Sequence, residues 1–453
     1  MASPAALAAF TPKKIRTAAK TLAQHVFITV GFFGKNGLTN HAAAGAYGFL
    51  LSAAPMLLIA TFFLIRAFRT APEAAMSLLS EIPLLDVAAG DQWPALEFLI
   101  YAPAGAPTLV FMLSVLWAGR IFAVSMQRGI KIVCAGSRKR NPVTEKLVTL
   151  AIELSVLAVM LAVILGSRMA LRLYDAAGFF TGMPRFVGSL LGAGPFRLAA
   201  LGFLLYFAYR LIPANPPRRL AALWGSALCV AAYGIAASIM SVMLRLPRYN
   251  FLYGALGDIV VALVGVYFFF LCFFLGCQFA AVASSFEAHL FLRIRETRVA
   301  AQKGRGLGPI LERALFYEAD GMLEKYRKSY AEGETIILKG DMEKDVYFIL
   351  EGEADVLLPS RSGDGCVADR QAGTLKAGSF IGEMGYLLSE GRTATIRAGT
   401  CVSALKLPPG LFGEILGNDT ELDKSIIENL SRRIKRGNEQ LAALGDENAR
   451  GAE

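Results

Sequence analysis

Long apolar stretches separated by short polar segments run along the chain from Ala42 to about Leu292. A bilayer core is about 30 Å thick, and a helix needs roughly 20 apolar residues to cross it with all its backbone groups paired internally. The pattern therefore predicts six transmembrane helices, near Ala42–Ile65, Pro103–Val124, Leu147–Leu171, Phe196–Ile212, Leu220–Leu244 and Ile259–Ser284. The apolar segment Thr21–Phe33 is shorter and flanked by lysines, which favours an interfacial helix.

The charges of the connecting segments predict how these helices are oriented. The N-terminus is basic, Glu73–Glu97 is acidic, and Arg128–Lys146 and Arg210–Arg219 are basic again. Lysine and arginine are enriched in cytoplasmic loops. We therefore expect a multi-pass protein of a bacterial inner (cell) membrane, with both termini cytoplasmic and the lipid bilayer as a partner. The basic run Arg293–Arg305 contacts anionic head groups or is a solvated linker, and the pattern leaves both open.

After Leu292 the pattern becomes typical of a soluble domain. Helical spacing of apolar residues predicts a helix over Pro309–Tyr330 and another over Glu421–Leu444. Between them, short β-rich runs punctuated by glycine predict a compact all-β unit. The predicted strands are Thr335–Leu338, Val346–Leu350, Ala354–Leu358, Thr393–Ala398 and Val402–Leu407.

These changes of pattern predict the fold class and the domain organisation. The fold class is an α-helical membrane bundle of six transmembrane helices, joined to a cytosolic α+β β-roll with flanking helices. The expected parts are a basic N-terminal and interfacial segment (1–40), the transmembrane domain (41–292), linker helices (293–330), the β-roll with a C-terminal helix (331–445) and a tail (446–453).

Composition narrows the function classes. Of the 453 residues 55% are hydrophobic and only 18% are charged, which supports a membrane protein. The net charge of +10 suits nucleic-acid binding or basic membrane loops, and the loop pattern favours the second, so no nucleic-acid partner is expected. The six cysteines lack CxxC spacing, and His25, His41 and His289 are scattered. We therefore expect no metal, no cofactor, no catalytic residue and no enzymatic activity.

One motif of the β-rich region stands out. It has the sequence Gly378-Ser379-Phe380-Ile381-Gly382-Glu383-Met384-Gly385, followed by Arg392-Thr393-Ala394-Thr395. The region from about Gly321 to Arg436 resembles the cyclic-nucleotide-binding domain of cAMP receptor proteins, kinase regulatory subunits and cyclic-nucleotide-gated channels, and the motif resembles its phosphate-binding cassette. The resemblance implies that a cyclic nucleotide contacts Phe380, Gly382, Glu383, Met384, Arg392 and Thr393.

The chemistry of a cyclic nucleotide suits these residue types. Its ring phosphate carries one negative charge, and Arg392 offers two phosphate oxygens a planar fork of N–H donors. Glu383 is the natural acceptor for the ribose 2′-hydroxyl. Gly382 permits close approach of the backbone, and Thr393 adds a hydroxyl. The alternative is that Glu383 and Arg392 form a surface ion pair in a β-roll without a ligand.

Selectivity for the base is left open by the sequence. The helix Glu421–Leu444 is expected to cover the base as a lid, with Arg432 or Arg433 stacking on or bonding the purine, or exposed as ordinary surface charges. We prefer cAMP to cGMP, although a threonine after the arginine suits guanine in some relatives. The loop Pro359–Asp369 shields the pocket or forms a hairpin tip, and the tip is favoured.

The membrane half resembles the YihY/virulence factor BrkB family, formerly labelled ribonuclease BN, over most of residues 30–285. The matching residues are Ala42-Ala43-Ala44 with Ser52 and Pro55, Leu211-Ile212-Pro213-Ala214-Asn215, and Tyr253-Gly254 through Leu275-Gly276. Arg120 and Glu153 are ionisable residues near membrane depth. They form a pair that marks a substrate path, or they reach separately to the interface.

Together these features predict a membrane-embedded cyclic-nucleotide receptor. Binding of cAMP or cGMP to the cytosolic domain would regulate the bundle, as a transporter or channel, through the linker Arg293–Tyr330. The alternative is a membrane-anchored signalling scaffold without transport activity. A homo-oligomer is expected in either case.

Overall fold

The computed structural model describes residues 12–52, 106–134, 141–155, 194–244, 248–302, 310–316, 321–361, 367–388 and 391–419, together with 422, 424, 426, 428 and 431. The chain forms two compact units. The helical unit is Thr29–Ser284, and the β-roll unit is Met1–Ile28 with Ser285–Glu453.

The described part of the helical unit consists of helices, because its long apolar stretches pair their backbone groups within each segment. The helices are α1 (Pro12–Lys35, which belongs to the β-roll unit up to Ile28), α2 (residues 38–52), α3 (Ala106–Val133), α4 (residues 142–155), α5 (Gly194–Leu211), α6 (Arg219–Leu244) and α7 (Arg248–Ser284).

Helical structure is found in the described part of each predicted span, with different bounds. α3 continues to Val133 instead of ending at Val124, and α7 begins at Arg248 instead of Ile259. Residues 53–65 and 156–171 of two predicted spans lie outside the described residues. Within the described residues, two helical stretches have the length and apolar composition to cross a membrane, Arg219–Met240 and Leu263–Ser284. Six spans and cytoplasmic termini stay predictions.

α6 and α7 pack closely in the core of the helical unit because glycines face each other. A Cβ atom on Gly225 would lie 2.5 Å from the carbonyl oxygen of Gly276. A Cβ atom on Gly276 would likewise lie 2.5 Å from the carbonyl oxygen of Gly225. Beside them, the buried Tyr209 hydroxyl of α5 donates a hydrogen bond of 2.7 Å to the Phe273 carbonyl. The three helices α5, α6 and α7 are thus joined at one level.

The β-roll unit contains two four-stranded antiparallel sheets with the strand orders β1-β8-β3-β6 and β2-β7-β4-β5. The strands are β1 (Arg327–Tyr330), β2 (Thr335–Ile337), β3 (Val346–Glu351), β4 (Glu353–Arg361), β5 (Val367–Lys376), β6 (Phe380–Ile381), β7 (Thr395–Ala398) and β8 (Val402–Leu407). Apolar side chains from both sheets form one core, which includes Ile337, Ile349, Ile381, Ile396 and Ala404.

Several helices accompany these strands in the β-roll unit. They are α8 (Phe286–Gln302), α9 (Ile310–Phe316), a 3-10 helix (Gly321–Tyr326), α10 (Glu383–Leu388) and α11 (Pro409–Asn418). The described residues of the predicted helix Glu421–Leu444 are helical, and Leu422 and Ile426 are buried as its apolar stripe requires. The rest of that helix lies outside the described residues.

The prediction of a helix over Pro309–Tyr330 is wrong for its last four residues. Residues Arg327–Tyr330 form β1, which pairs with β8 from Arg327 opposite Leu405 to Tyr330 opposite Val402. Pairing with a buried neighbouring strand outweighs the weak helical signal of these four residues.

The predicted loop Pro359–Asp369 lies mainly in a β-hairpin. Pro359 of β4 is opposite Asp369 of β5, and residues 362–366 between the strands lie outside the described residues. The proline is tolerated because β7 pairs with β4 only up to Leu357, so its missing N–H interrupts no ladder on that side. The segment is therefore a hairpin end, as the sequence favoured.

Candidate functional site

Arg392 lies just before β7 and is only 4% exposed. Its backbone is fixed on both sides: its N–H donates to the Asp341 carbonyl at 2.9 Å, and its carbonyl accepts from the Gly340 N–H at 2.8 Å. The turn containing Gly340 and Asp341 therefore determines where the arginine enters the core. Because it is buried, Arg392 does not form the surface ion pair of the alternative interpretation.

The guanidinium of Arg392 is held by backbone carbonyl groups. Nη1 donates to the Gly382 carbonyl at 2.7 Å, and Nη2 donates to the Asp345 carbonyl at 2.5 Å. Its buried Nε has no hydrogen-bond partner. Among the residues that the structure describes, Arg392 makes no ion pair, so this buried cation has only neutral partners.

The carboxylate of Asp345 is already engaged with another cation. Lys406 Nζ lies 3.1 Å from Asp345 Oδ2 and 3.2 Å from Glu343 Oε2. Burial lowers the pKa of Lys406, but hydrogen bonds to these two carboxylates raise it more, and the net shift is upward. Asp345 therefore offers Arg392 a carbonyl oxygen while its negative charge is balanced by Lys406.

Gly382 is required by the geometry of this site. Its φ of +83° lies in the left-handed region, where side chains are strained. A Cβ atom here would lie 2.4 Å from Arg392 Nη1 and 3.0 Å from Ile337 Cδ1. The absence of a side chain thus lets the backbone carbonyl of Gly382 reach the guanidinium.

The other predicted contacts lie on either side of these two residues. Glu383 and Met384 are half-buried in the first turn of α10, directly after Gly382. Thr393 is exposed beside Arg392. The hydrogen bond from Arg392 to Gly382 therefore brings the acidic residue and the arginine of the motif into one neighbourhood.

Phe380 belongs to an aromatic cluster. Its ring centroid lies 5.0 Å from that of Phe348, 5.7 Å from that of Phe412 and 6.0 Å from that of Phe291. These contacts give Phe380 a packing role just before the motif glycine, and its contact with a nucleotide stays a prediction. Arg432 and Arg433, the predicted lid contacts, lie outside the described residues.

The sequence did not identify Asp345, Lys406 or Phe291 as parts of the site or its support. Asp345 acts on Arg392 through a backbone carbonyl, which every residue type possesses, so its side chain gives no signal. Lys406 and Phe291 lie far from the motif in sequence and are brought to it only by the fold.

A β-roll with a buried arginine held beside a glycine turn defines the class of this domain. A family model described as "Cyclic nucleotide-binding domain" matches residues 327–419, which include the whole motif. The chain itself belongs to the family described as "Virulence factor BrkB", a membrane family, whose model matches residues 29–293. Both resemblances predicted from the sequence are confirmed.

Curated relatives match part of the chain. A cAMP-dependent protein kinase regulatory subunit of Blastocladiella emersonii is 32% identical over 89 residues, which is 20% of this chain and 21% of the relative. The cAMP-activated global transcriptional regulator Vfr of Pseudomonas aeruginosa is 25% identical over 123 residues, 26% of this chain and 56% of the relative. The chain thus spans about a fifth to a half of the length of these relatives.

Solved structures match a similar share of the chain. The catabolite activator protein of Thermus thermophilus is 21% identical with a TM-score of 0.24, covering 26% of this chain and 54% of that one. The regulatory subunit of a cAMP-independent protein kinase A from Trypanosoma brucei is 25% identical with a TM-score of 0.21, covering 30% and 48%.

Proposed function

We propose that this chain is a membrane-embedded cyclic-nucleotide receptor, in which binding of cAMP or cGMP to the β-roll unit regulates the BrkB helices. One observation carries the proposal. The buried guanidinium of Arg392 has two carbonyl partners, a free Nε, and no carboxylate within ion-pair distance among the described residues.

A buried cation without an anion is unfavourable by several kcal/mol unless a ligand supplies the charge. The ring phosphate of a cyclic nucleotide carries one negative charge, which matches one arginine. The free Nε–H provides a further donor on the same planar group. The site is therefore suited to an anion with one charge and several acceptor oxygens.

The neighbouring residues supply contacts for the rest of the nucleotide. Glu383 accepts a hydrogen bond from the ribose 2′-hydroxyl, and Gly382 leaves room for the ligand beside the backbone. Thr393 and Met384 border the phosphate and the sugar, and Arg432 or Arg433 covers the base. We place cAMP before cGMP because the curated relatives are named as cAMP-dependent or cAMP-activated proteins.

The output of the receptor is a change in the BrkB helices. A nucleotide shifts a conformational equilibrium only by the difference between its affinities for the two states. We infer that the bundle acts as a transporter or channel in the bacterial inner membrane, with the nucleotide-binding domain on the cytoplasmic side. A scaffold without transport activity is the competing function.

Nucleotide binding is tested by calorimetry on the full chain in lipid nanodiscs. Arg392→Ala is expected to weaken cAMP binding at least about tenfold, which corresponds to about 1.4 kcal/mol. Arg397→Ala is the matched control, because Arg397 is an exposed arginine on the nearby strand β7. No binding of either nucleotide to the unaltered chain would falsify the proposal.

Regulation is tested by solute and ion flux into liposomes that contain the full chain. A change in flux on addition of cAMP supports a regulated transporter or channel. If the protein binds cAMP while no solute or ion moves under any condition, the scaffold is the better function.

A further inference from the structure

Lys406 holds two carboxylates close to Arg392. It lies on β8 opposite Tyr347 of β3, and Asp345 is the second residue before Tyr347. Side chains alternate between the two faces of a strand, so Asp345 and Lys406 lie on the same face. Lys406 Nζ is 3.1 Å from Asp345 Oδ2 and 3.2 Å from Glu343 Oε2. The lysine therefore binds the carboxylate of a residue that also contacts Arg392.

Asp345 is shared between two cations. Its backbone carbonyl accepts a hydrogen bond from Arg392 Nη2 at 2.5 Å, and its carboxylate pairs with Lys406. A single methylene group separates the carboxylate of an aspartate from its own backbone. The Asp345 carboxylate therefore lies close to the guanidinium of Arg392. In the part of the chain that the structure describes, this carboxylate nevertheless pairs with Lys406 and makes no ion pair with Arg392.

The carboxylate of Asp345 and the phosphate of a nucleotide would compete for Arg392. Each carries one negative charge, and the buried guanidinium has only neutral partners among the described residues. An anion that belongs to the same chain has a high effective concentration, whereas a nucleotide binds from solution. An ion pair between Asp345 and Arg392 would therefore close the site to the phosphate.

We propose that Lys406 is a positioning residue of the nucleotide site, which holds the Asp345 carboxylate away from Arg392 and so leaves the guanidinium open to the phosphate. The inference rests on the proposed receptor function for its ligand, whereas the competition for Arg392 needs no ligand. Glu343 is the second carboxylate on Lys406 and helps to hold the lysine in place. Lys406 acts on the nucleotide through Asp345, without contacting it.

Two simpler roles for Lys406 make different predictions. In one, its positive charge attracts the phosphate directly. In the other, its packing stabilises the strand, since Nζ lies 5.7 Å from the centroid of the Tyr347 ring. In both of these roles, loss of Lys406 weakens nucleotide binding whether or not residue 345 is charged. In the proposed role, binding is weakened only while Asp345 carries its carboxylate, so removal of that charge separates the three.

The first test is calorimetry of cAMP binding to the full chain in lipid nanodiscs. Lys406→Met is expected to weaken binding at least about tenfold, and Lys406→Arg should retain it, because arginine also pairs with carboxylates. Lys376→Met is the matched control, since Lys376 is an exposed lysine of β5 that pairs with Glu353 at 3.6 Å. It removes the same charge from the β-roll unit and should leave binding unchanged. Unchanged binding in Lys406→Met overturns the proposal.

Rescue by Asp345→Asn is the decisive measurement. Asparagine keeps the backbone carbonyl and nearly the same shape but carries no charge, so it forms no ion pair with Arg392. The double variant Lys406→Met with Asp345→Asn should bind cAMP more tightly than Lys406→Met, and within about twofold of Asp345→Asn alone. A double variant as weak as Lys406→Met shows that the lysine acts through its own charge or its packing, which rejects the proposal.

Melting temperatures of the nucleotide-free chain test the competition without a ligand. In the Lys406→Met background, Asp345→Asn should lower the melting temperature by about 2–4 °C, because it removes the new ion pair with Arg392. With Arg392→Ala also present, the same substitution should not lower it. Equal shifts in the two backgrounds contradict the proposal. The melting curves also show that each variant is folded, and Lys406→Gln replaces Lys406→Met where the latter is not.

The role of Lys406 and the receptor function fail separately. If the unaltered chain binds neither nucleotide while the melting shift depends on Arg392, the receptor is rejected and the role of Lys406 in holding Asp345 is supported. If cAMP binds and Arg392→Ala weakens binding while Lys406→Met does not, the receptor stands and the role of Lys406 is rejected.

Discussion

Gly382 combines two requirements at the scale of a single residue, a positive φ and contact with Arg392. Gly382→Ala is expected to cost about 1–2 kcal/mol in backbone strain and to displace the guanidinium, because the new Cβ would meet Arg392 Nη1 at 2.4 Å. Calorimetry should therefore show at least about tenfold weaker cAMP binding, together with a lower melting temperature.

Gly333 provides a matched control for this substitution. Its φ is also +83°, but a Cβ there has no atom within 4 Å. Gly333→Ala should lower the melting temperature by a similar strain while cAMP binding is retained. Equal loss of binding in both variants would show that strain, and not the displaced arginine, is responsible.

At the scale of elements, one buried ring of α8 packs against the aromatic residues of the β-roll. Phe291 is fully buried, and its centroid lies 5.0 Å from that of Phe348. Phe291→Ala should destabilise the β-roll unit by about 3–5 kcal/mol, since a large cavity remains. Glu296→Ala, at an exposed position of α8, should change stability by less than about 0.5 kcal/mol. Thermal unfolding of the full chain measures both, and equal melting temperatures would contradict this role.

Strands rich in buried apolar residues were predictable from the sequence, and short or mostly exposed strands were not. The bounds of β8 agree with the prediction because its four apolar residues are buried and its two polar residues, Ser403 and Lys406, are partly exposed. β1 has three exposed residues out of four, and β6 has only two residues. Such strands are defined by their neighbours, so no local pattern indicates them.

The same distinction applies to the candidate site. Gly382, Glu383 and Arg392 form a recognisable motif, and the structure connects Arg392 to Gly382 by a hydrogen bond. The Asp345 carbonyl reaches Arg392 only because distant segments of the chain meet in space. Spacing along the chain therefore predicted the motif residues, but not the partners that surround them.

At the scale of the whole molecule, acid pH should lower the free energy of unfolding through two histidines of the β-roll unit. His25 stacks on Phe286 with centroids 4.8 Å apart, and His289 Nδ1 donates to the Ser285 carbonyl at 2.8 Å. Burial is the main cause that lowers the pKa of both from the usual 6.5. Near and below pH 6.5 the unfolded chain therefore binds more protons at these histidines than the folded chain does. Their contribution to the free energy of unfolding is fully present above pH 6.5 and decreases as pH falls below it.

Melting temperatures of the full chain across this pH range measure the effect. The double variant His25→Phe with His289→Phe should show a flatter dependence on pH below the usual histidine pKa. His41→Gln, in the helical unit, should keep the dependence of the unaltered chain. An unchanged slope in the double variant would assign the acid sensitivity to other groups.

The contact between Gly225 and Gly276 limits how the helical unit can move. Each backbone occupies the space that a side chain would take on the other helix, so sliding or rotation of α6 against α7 would bring main-chain atoms into collision. The two helices therefore behave as one rigid body. The proposed gating motion therefore has to occur at other crossings, such as that of α3 with α7, where the rings of Phe122 and Phe270 meet edge to face. A small molecule bound between these two rings is therefore expected to slow the relative motion of α3 and α7.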